Sequence, residues 1–188
     1  MRGSMAQQVL RLPVFGPGMP GRARLLALLS PTARSWMLGP LLPTEWFDER
    51  LAVELTHAVA QVLNLTTPEA LQVWFRRQHI QGFAATLRAQ GIHTPEALLA
   101  GMPALWTRQH DTGSLTVEQQ TPRSARIAIR NNADVRDERY AVALAGGTEG
   151  FLTLAGAQGL RVTHSVTRNA LLIDAAWENT ATVPDGGD

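Results

Sequence analysis

The stretch SLTVEQQTPRSARIAIR, residues 114–130, marks the point where the hydrophobic pattern changes from a helical period to a period of two. Leu115 and Val117 alternate with polar residues, and Ile127 and Ile129 do the same after the break at QQTPRS. Successive side chains of a strand point to opposite faces of the sheet. The pattern therefore predicts an antiparallel pair of strands with one buried face.

A second pair of strands is predicted near the C-terminus, at residues 160–177. Two apolar sets alternate with polar residues there, and Thr167-Arg168-Asn169 is the turn between them. The first set puts a histidine on the presumed buried face, and the second ends in a tryptophan. Their members are Leu160, Val162, His164 and Val166, then Leu171, Ile173, Ala175 and Trp177.

Between the two pairs, RYAVALAGGTEGFLTLAGAQG (139–159) predicts a helix with three glycines near its middle. The segment AGGTEG within it resembles a phosphate-binding loop only loosely. It lacks the Gly-x-Gly-x-x-Gly spacing and does not directly follow a convincing strand. We therefore favour a helix kink or close helix packing as the role of these glycines.

Helical spacing at Leu25, Leu28 and Leu29 predicts a helical region within residues 22–43, which Pro31 and Gly39-Pro40 interrupt. Three further helical regions precede the strands. The spacing predicts one helix over residues 44–63 and another over 67–91. In the third region, 94–113, Gly101 and Pro103 predict two short helices rather than one. The candidate N-caps of the three regions are Thr44, Thr67 and Thr94.

The order helices, hairpin, helix, hairpin predicts an α+β fold. In it, N-terminal helices pack on a four-stranded antiparallel sheet made of two hairpins separated by a helix. We expect residues 1–21 to be a leader and an extended arm, 22–178 to form a single domain, and 179–188 to be a flexible tail.

The composition excludes several chemistries. The 188 residues are 45% hydrophobic and 18% charged, which is typical of a globular protein. Cysteine is absent, so disulfides, thiolate zinc sites and cysteine nucleophiles are excluded. All 17 basic residues are arginine, which excludes lysine Schiff bases and Walker-type phosphate loops.

The sequence also predicts a cytoplasmic protein without a membrane partner. Its apolar runs are shorter than the roughly 18 residues that a membrane span needs. The N-terminus lacks the ordered regions of a secretory signal, and MRGSM resembles a vector-derived leader before Met5.

Three segments carry a resemblance to known families: PALW…DTGSLTVE (103–118), AGGTEGFLTLAGAQGLRV (145–162) and LLIDAAW (171–177). In layout and glycine placement, the chain resembles the myxobacterial-type DUF2378 proteins over roughly residues 22–178. More distantly it is similar to the 4-vinyl-reductase-type small-molecule-binding domain, to heme-NO-binding-like folds and to TRAPP subunits. The resemblance implies a ligand-sensing or dimerising module rather than an enzyme.

The chain departs from these families at their metal and heme sites. Vinyl-reductase-type domains often carry cysteines suited to metal binding, and this chain has none. Heme-NO-binding domains use a proximal histidine and a Tyr-x-Ser-x-Arg motif. The single tyrosine here, Tyr140, is followed by Ala-Val-Ala. We therefore predict no cofactor.

The histidines offer little support for catalysis or metal binding. His110-Asp111 could be a general base with its orienting carboxylate. The alternative, which we favour, is the corner where a helix meets the sheet, with Trp106 turned into the core. Glu54 and His57 have metal-ligand spacing on a helix, but they lie on a face that we interpret as solvated.

An apolar ligand pocket between sheet and helices is the preferred candidate site. Trp74, Trp106, His164 and Trp177 are its predicted lining residues. For His164, a hydrogen-bonded position in the core is the alternative.

A nucleic-acid interface is the alternative site. The densest basic stretch contains Arg123, Arg126, Arg130, Arg136 and Arg139. The formal net charge of only +1 favours a solvated face instead.

The sequence therefore predicts a non-enzymatic, homodimeric module that senses a small apolar molecule or docks a protein partner. A nucleic-acid-binding accessory protein is the alternative.

Overall fold

Six α-helices and a four-stranded antiparallel sheet form the part of the chain that the computed structural model describes, namely residue 9, residues 12–39, residue 46 and residues 48–180. The fold is α+β, as predicted. The helices are α1 (Pro20–Leu28), α2 (Pro31–Leu38), α3 (Arg50–Val62), α4 (Pro68–Ala89), α5 (Pro95–Gln109) and α6 (Glu138–Leu154). The strands are β1 (Ser114–Thr121), β2 (Ser124–Arg130), β3 (Ala157–Gln158), β4 (Arg161–Val166), β5 (Ala170–Ala176) and β6 (Asn179–Thr180).

The main sheet has the order β1-β2-β5-β4, and all its neighbours are antiparallel. Both predicted hairpins are confirmed, and they join through the two central strands. Ile127 lies opposite Ile173 and Ile129 opposite Leu171 in that central pair, and all four are buried. The inner face of the sheet is therefore most completely buried at its two central strands. At the edge strand β4, His164 is half-buried and Val166 is exposed.

Local capping starts the helices where the sequence places their caps. The hydroxyl of Thr67 accepts a hydrogen bond from the Ala70 amide, and that of Thr94 accepts one from the Ala97 amide, both at 3.2 Å. These bonds satisfy amide groups that the first turn of a helix leaves unpaired. Helix α6 is capped in the same way by the carboxylate of Asp137.

The prediction of two short helices between 94 and 113 was wrong. Helix α5 runs continuously through Gly101 and Pro103, and it ends at Gln109 rather than at Gly113. A proline inside a helix removes one backbone hydrogen bond. Burial of the apolar side chains that flank it against the sheet outweighs that loss; they are Leu98, Leu99, Met102 and Trp106.

Two segments near the chain ends depart from expectation, and one predicted cap lies outside the described residues. Residues 13–15 form a 3-10 turn whose Phe15 is fully buried, and α1 begins at Pro20, so this part of the expected arm packs on the domain. The cap predicted at Thr44 lies outside the described residues; the described helix begins at Arg50. Asn179 and Thr180, expected at the start of the tail, pair as β6 with β3.

Helices α4 and α6 make the closest helix contact, and glycines permit it. A Cβ on Gly146 would lie 2.5 Å from the Gln72 carbonyl oxygen, and one on Gly150 would lie 2.7 Å from the Arg76 carbonyl oxygen. A Cβ on Gly147 would lie 2.8 Å from Nε2 of the His79 ring. The glycines of AGGTEG therefore serve close packing, one of the two roles that the sequence favoured.

This contact makes the effect of a glycine-to-alanine change depend on position. Gly146→Ala should lower the free energy of unfolding by at least about 1 kcal/mol, because the methyl group forces two backbones apart. Gly101→Ala in α5 is the matched control. Its Cβ meets nothing within 4 Å, so the change should stabilise the protein by about 0.5–1 kcal/mol. Urea denaturation of both variants checks the pair; equal effects would contradict the packing role.

Candidate functional site

A cavity of about 230 Å³ lies between α3, α4, α5, α6 and the inner face of the sheet near β1 and β2. Its walls are mainly aliphatic and aromatic; Leu55, Phe83, Leu98, Met102, Leu144 and Phe151 are among them. A cavity of about 150 Å³ can hold benzene, and drug-sized ligands occupy about 300 Å³ or more. The space therefore suits an apolar molecule of one or two rings.

An aromatic cluster forms one wall of this cavity. The His79 ring stacks on Phe83 with centroids 5.4 Å apart and meets Phe151 edge-on at 5.2 Å. His79 Nδ1 lies 2.9 Å from the Phe75 carbonyl oxygen, which can only accept, so Nδ1 carries a proton. Burial lowers the pKa of His79, and its bond to Phe75 only partly opposes this. The imidazole is therefore neutral at pH 7.

A buried carboxylate lies behind another part of the cavity wall. Glu49, which is 3% exposed, lies just before α3 and accepts four hydrogen bonds from distant segments. Its donors are Tyr140 Oη at 2.6 Å, His110 Nδ1 at 2.8 Å, Thr112 Oγ1 at 2.9 Å and Asn132 Nδ2 at 3.0 Å. We call these five residues the Glu49 cluster. Its members His110 and Tyr140 also line the cavity, so the cluster is part of the cavity wall.

The electrostatics of the cluster keep Glu49 ionised. Burial alone would raise the pKa of Glu49, but its hydrogen bond and attraction to His110, with the bonds from Tyr140 and Thr112, lower it from 4.5 to about 2. Burial and the neighbouring carboxylate raise the pKa of Tyr140 well above 10, so its hydroxyl remains a donor. A buried charge with four donors is stable where an unpaired one would not be.

His110 therefore belongs to the corner between α5 and β1. It is the C-cap of α5, and its ring stacks on Trp106 with centroids 3.6 Å apart. The Trp106 indole N–H donates to the Thr112 carbonyl oxygen at 3.3 Å. His110 Nδ1 binds the carboxylate of Glu49, 61 residues away, at 2.8 Å.

Of the four predicted lining residues, Trp106 lines the cavity and the others lie elsewhere. Trp74 is half-buried and packs with the N-terminal helices. Trp177 is in the main core, and its buried indole N–H has no acceptor among the described residues. His164 lies opposite Ile173 on the half-covered strand β4; burial lowers its pKa, against a smaller opposing effect of Glu138. The structure does not bring the four together.

Sequence reasoning missed His79, Phe83 and Glu49. Phe75, His79 and Phe83 are spaced by four residues, which puts them on one face of α4, so a signal for the aromatic wall existed. Glu49 carried no such signal, because its partners lie 61 to 91 residues further along the chain.

The predicted basic stretch does not form one surface. Arg126 makes two hydrogen bonds to Asp174, at 2.7 and 3.1 Å, and Arg130 pairs with Glu118. Arg123 lies in the turn before β2, whereas Arg136 and Arg139 follow the opposite end of that strand. The two arginines on the strand are thus neutralised, and the other three lie at opposite ends of the sheet.

Metal ligation and membrane spanning find no support in the described ranges. His57 pairs with Asp137 at 2.8 Å, while Glu54 binds Ser30, so the two residues with metal-ligand spacing have different partners. No group of three histidine or carboxylate side chains that could hold a metal occurs in the part of the chain that the structure describes. None of the helices given above is both long and apolar enough to cross a bilayer.

Comparison with solved structures shows an H-NOX-like fold. An H-NOX protein from S. oneidensis in the Fe(II) state aligns with a TM-score of 0.69 at 14% identity, covering 97% of this chain and 98% of that one. An oxygen-binding H-NOX domain related to soluble guanylate cyclases aligns with a TM-score of 0.62 at 12% identity, covering 95% and 93%. No family model matches the chain, and no curated protein matches it. The likeness is therefore one of fold, in agreement with the resemblance to heme-NO-binding-like folds.

Solved proteins of this fold are described with iron and a distorted heme, so the fold implies a heme. The residues around the cavity do not fit that group. A Cβ on Gly147 would lie 2.8 Å from His79 Nε2, so helix α6 occupies the side of the ring on which an iron would bind. His110 also lines the cavity, but one face of its ring is covered by Trp106 at a centroid distance of 3.6 Å. The cavity is also below the size range of larger ligand pockets.

The depressed pKa of Glu49 predicts how stability depends on pH. The unfolded carboxyl titrates near 4.5 and the folded one near 2, so its contribution is complete above pH 4.5 and is lost as the pH falls towards 2. That difference corresponds to about 3 kcal/mol. Glu49→Gln should therefore lower the free energy of unfolding by about that amount at pH 7 and by much less at pH 2.5, measured by urea denaturation.

Glu69→Gln is the control, since Glu69 is an exposed carboxylate in the first turn of α4. A loss at Glu49 that is the same at both pH values would show that the stabilisation does not come from its charge.

Proposed function

We propose that this chain is a non-enzymatic sensing module that binds a small apolar molecule in the cavity beneath α3–α6. The observation that carries this proposal is the cavity itself: an apolar space whose wall includes His110 and Tyr140, two polar side chains held by the buried carboxylate of Glu49. An apolar wall with a few fixed polar groups is the usual composition of a small-molecule site.

The lining indicates the class of ligand. The aromatic wall of His79, Phe83 and Phe151 offers faces and edges for an aromatic ring. At the other end, His110 and Tyr140 are polar and held in place by Glu49. A small aromatic molecule with one polar substituent, such as a phenol, matches both ends.

The position of the cluster suggests how binding is transmitted. Glu49 joins the start of α3 to the end of α5, the start of β1, the loop after β2 and helix α6. A ligand that contacts His110 or Tyr140 therefore contacts the hydrogen-bonded cluster that connects all of these segments. A ligand shifts a conformational equilibrium only if it binds the two conformations with different affinities.

The fold supports a sensor rather than an enzyme, because its solved relatives in shape include a gas-binding domain related to soluble guanylate cyclases. The cavity favours sensing over protein docking. Homodimer formation, a cytoplasmic location and kinship with the DUF2378 family remain predictions, as do the boundaries 22–178.

Ligand binding can be tested through Trp106, the tryptophan in the cavity wall. Phenols and other small aromatics should change intrinsic fluorescence in a saturable way, and lipid-like molecules should do so less. Trp106→Phe should remove most of the change. Calorimetry confirms binding independently of the fluorophore, and the absence of saturation with every compound class would count against the proposal.

A cavity-filling variant locates the site. Ala143, on α6, lines the cavity, and Ala143→Leu should weaken binding at least tenfold by occupying part of its volume. Ala104→Leu, on the exposed side of α5, and His164→Ala, outside the cavity, should bind as the wild type does. Equal affinity of all three variants would exclude this cavity.

The nucleic-acid alternative predicts a different result. A mobility shift that weakens steeply between low and moderate salt, and that drops with Arg126→Ala and Arg130→Ala, would support it. Because both arginines are paired with carboxylates, we expect no such shift.

A further inference from the structure

We propose that a second, polar cavity at the end of the sheet binds a small oxyanion through Arg136 and Arg168. This cavity has a volume of about 240 Å³ and lies against the loop after β2 and the turn between β4 and β5. We call it the arginine pocket. Its polar lining residues are Asn131, Asn132, Arg136, Arg168 and Asn169.

The sheet register brings the two arginines together. Arg130, the last residue of β2, pairs with Ala170, the first residue of β5. The chain that leaves β2 and the chain that enters β5 therefore emerge side by side at the same end of the sheet. Arg136 and Arg168 are 32 positions apart in the sequence but line one concavity for this reason.

The walls of the pocket are fixed by their own hydrogen bonds. On one side, Asn132 Oδ1 accepts from the Asp134 amide at 2.9 Å, while its Nδ2 donates to Glu49. On the other, Thr167 Oγ1 accepts from the amides of Ala170 and Asn169 at 3.0 and 3.3 Å. A pre-organised wall lowers the entropy that a ligand must lose on binding.

The charges of the pocket are not neutralised by the protein. Neither Arg136 nor Arg168 has a carboxylate within 4 Å among the described residues, in contrast to Arg126 and Arg130. Two of the acids near Arg136 along the chain, Asp134 and Asp137, have other neighbours. Burial, and after it the charges of Glu49 and Asp48, raises the pKa of Asp134. Asp137 binds His57 and caps α6.

Two guanidinium groups and two asparagine side chains define the ligand class. A guanidinium donates two parallel hydrogen bonds to a phosphate or a carboxylate, and amide NH₂ groups donate to the remaining oxygens. The polar lining excludes the apolar molecules that suit the first cavity. A phosphate or a dicarboxylate is therefore the expected ligand, and nucleic acid is not, because the other basic residues do not continue the pocket.

The Glu49 cluster forms the boundary between the two cavities. Asn132 lines the arginine pocket and donates to Glu49, which also accepts from His110 and Tyr140 in the wall of the apolar cavity. The oxyanion site is tested without an apolar ligand, so the two proposals can fail separately.

Nuclear magnetic resonance titration tests the oxyanion site. Inorganic phosphate, pyrophosphate and malonate are added separately to the ¹⁵N-labelled full chain at constant ionic strength, with chloride as the reference anion. We expect saturable shifts at the Arg136 and Arg168 Nε–H groups and at Asn131 and Asn169. Saturation with the phosphates alone identifies a phosphate site, and saturation with malonate alone identifies a carboxylate site.

Neutral variants decide whether the pocket is responsible. Arg136→Gln and Arg168→Gln should each weaken binding at least about tenfold. Arg139→Gln, which removes the same charge from an exposed position on α6, should change it less than about twofold. Absence of saturation below about 10 mM for all three anions would overturn the proposal. So would equal effects of the three variants, or tight binding of single-stranded DNA without binding of the free anions.

Discussion

The structure depends on one buried negative charge. Glu49 lies in the interior, where an unpaired carboxylate would be strongly destabilising. Four donors from four other segments remove that penalty and lower the pKa of the carboxyl. Through these bonds the end of α5, the start of β1, the loop after β2 and helix α6 converge where the chain enters α3. The cavity and the arginine pocket exist on either side of that convergence.

The second constraint is the distance between α4 and α6. The glycine face of α6 lets the backbone of α4 approach until Gln72 and Arg76 reach Glu149 with hydrogen bonds of 2.9 and 2.8 Å. At the same contact, His79 lies in the cavity wall, and its Nε2 is 2.8 Å from the position that a Cβ on Gly147 would take. Close packing at one point thus explains both the size of the cavity and the poor fit of a heme in it, although the fold is that of heme-containing proteins.

The elements that local sequence determines could be predicted, and the site largely could not. Period-two alternation predicted the hairpins because strand faces alternate, and threonine caps predicted the starts of α4 and α5 because capping is local. The helix break predicted at Pro103 was wrong, because burial of the neighbouring apolar side chains outweighs the low helix propensity of proline. His164 was assigned to the correct face, but its strand lies at the sheet edge, away from the part of the inner face near Leu115 and Ile129 that borders the cavity. Glu49 was missed because its importance arises only from contacts across 61 to 91 residues.

The spans that Glu49 bridges also bear on the order of folding. The β1–β2 and β4–β5 hairpins close short loops, whereas each bond to Glu49 closes a loop of at least 61 residues. Long loops lose more chain entropy on closure, so such contacts form after the local ones. We infer that the four hydrogen bonds to Glu49 form in the final stage of folding. The cavity beside the Glu49 cluster stays open to water until then. Hydrogen bonds that form so late mainly slow unfolding and have little effect on the rate of folding.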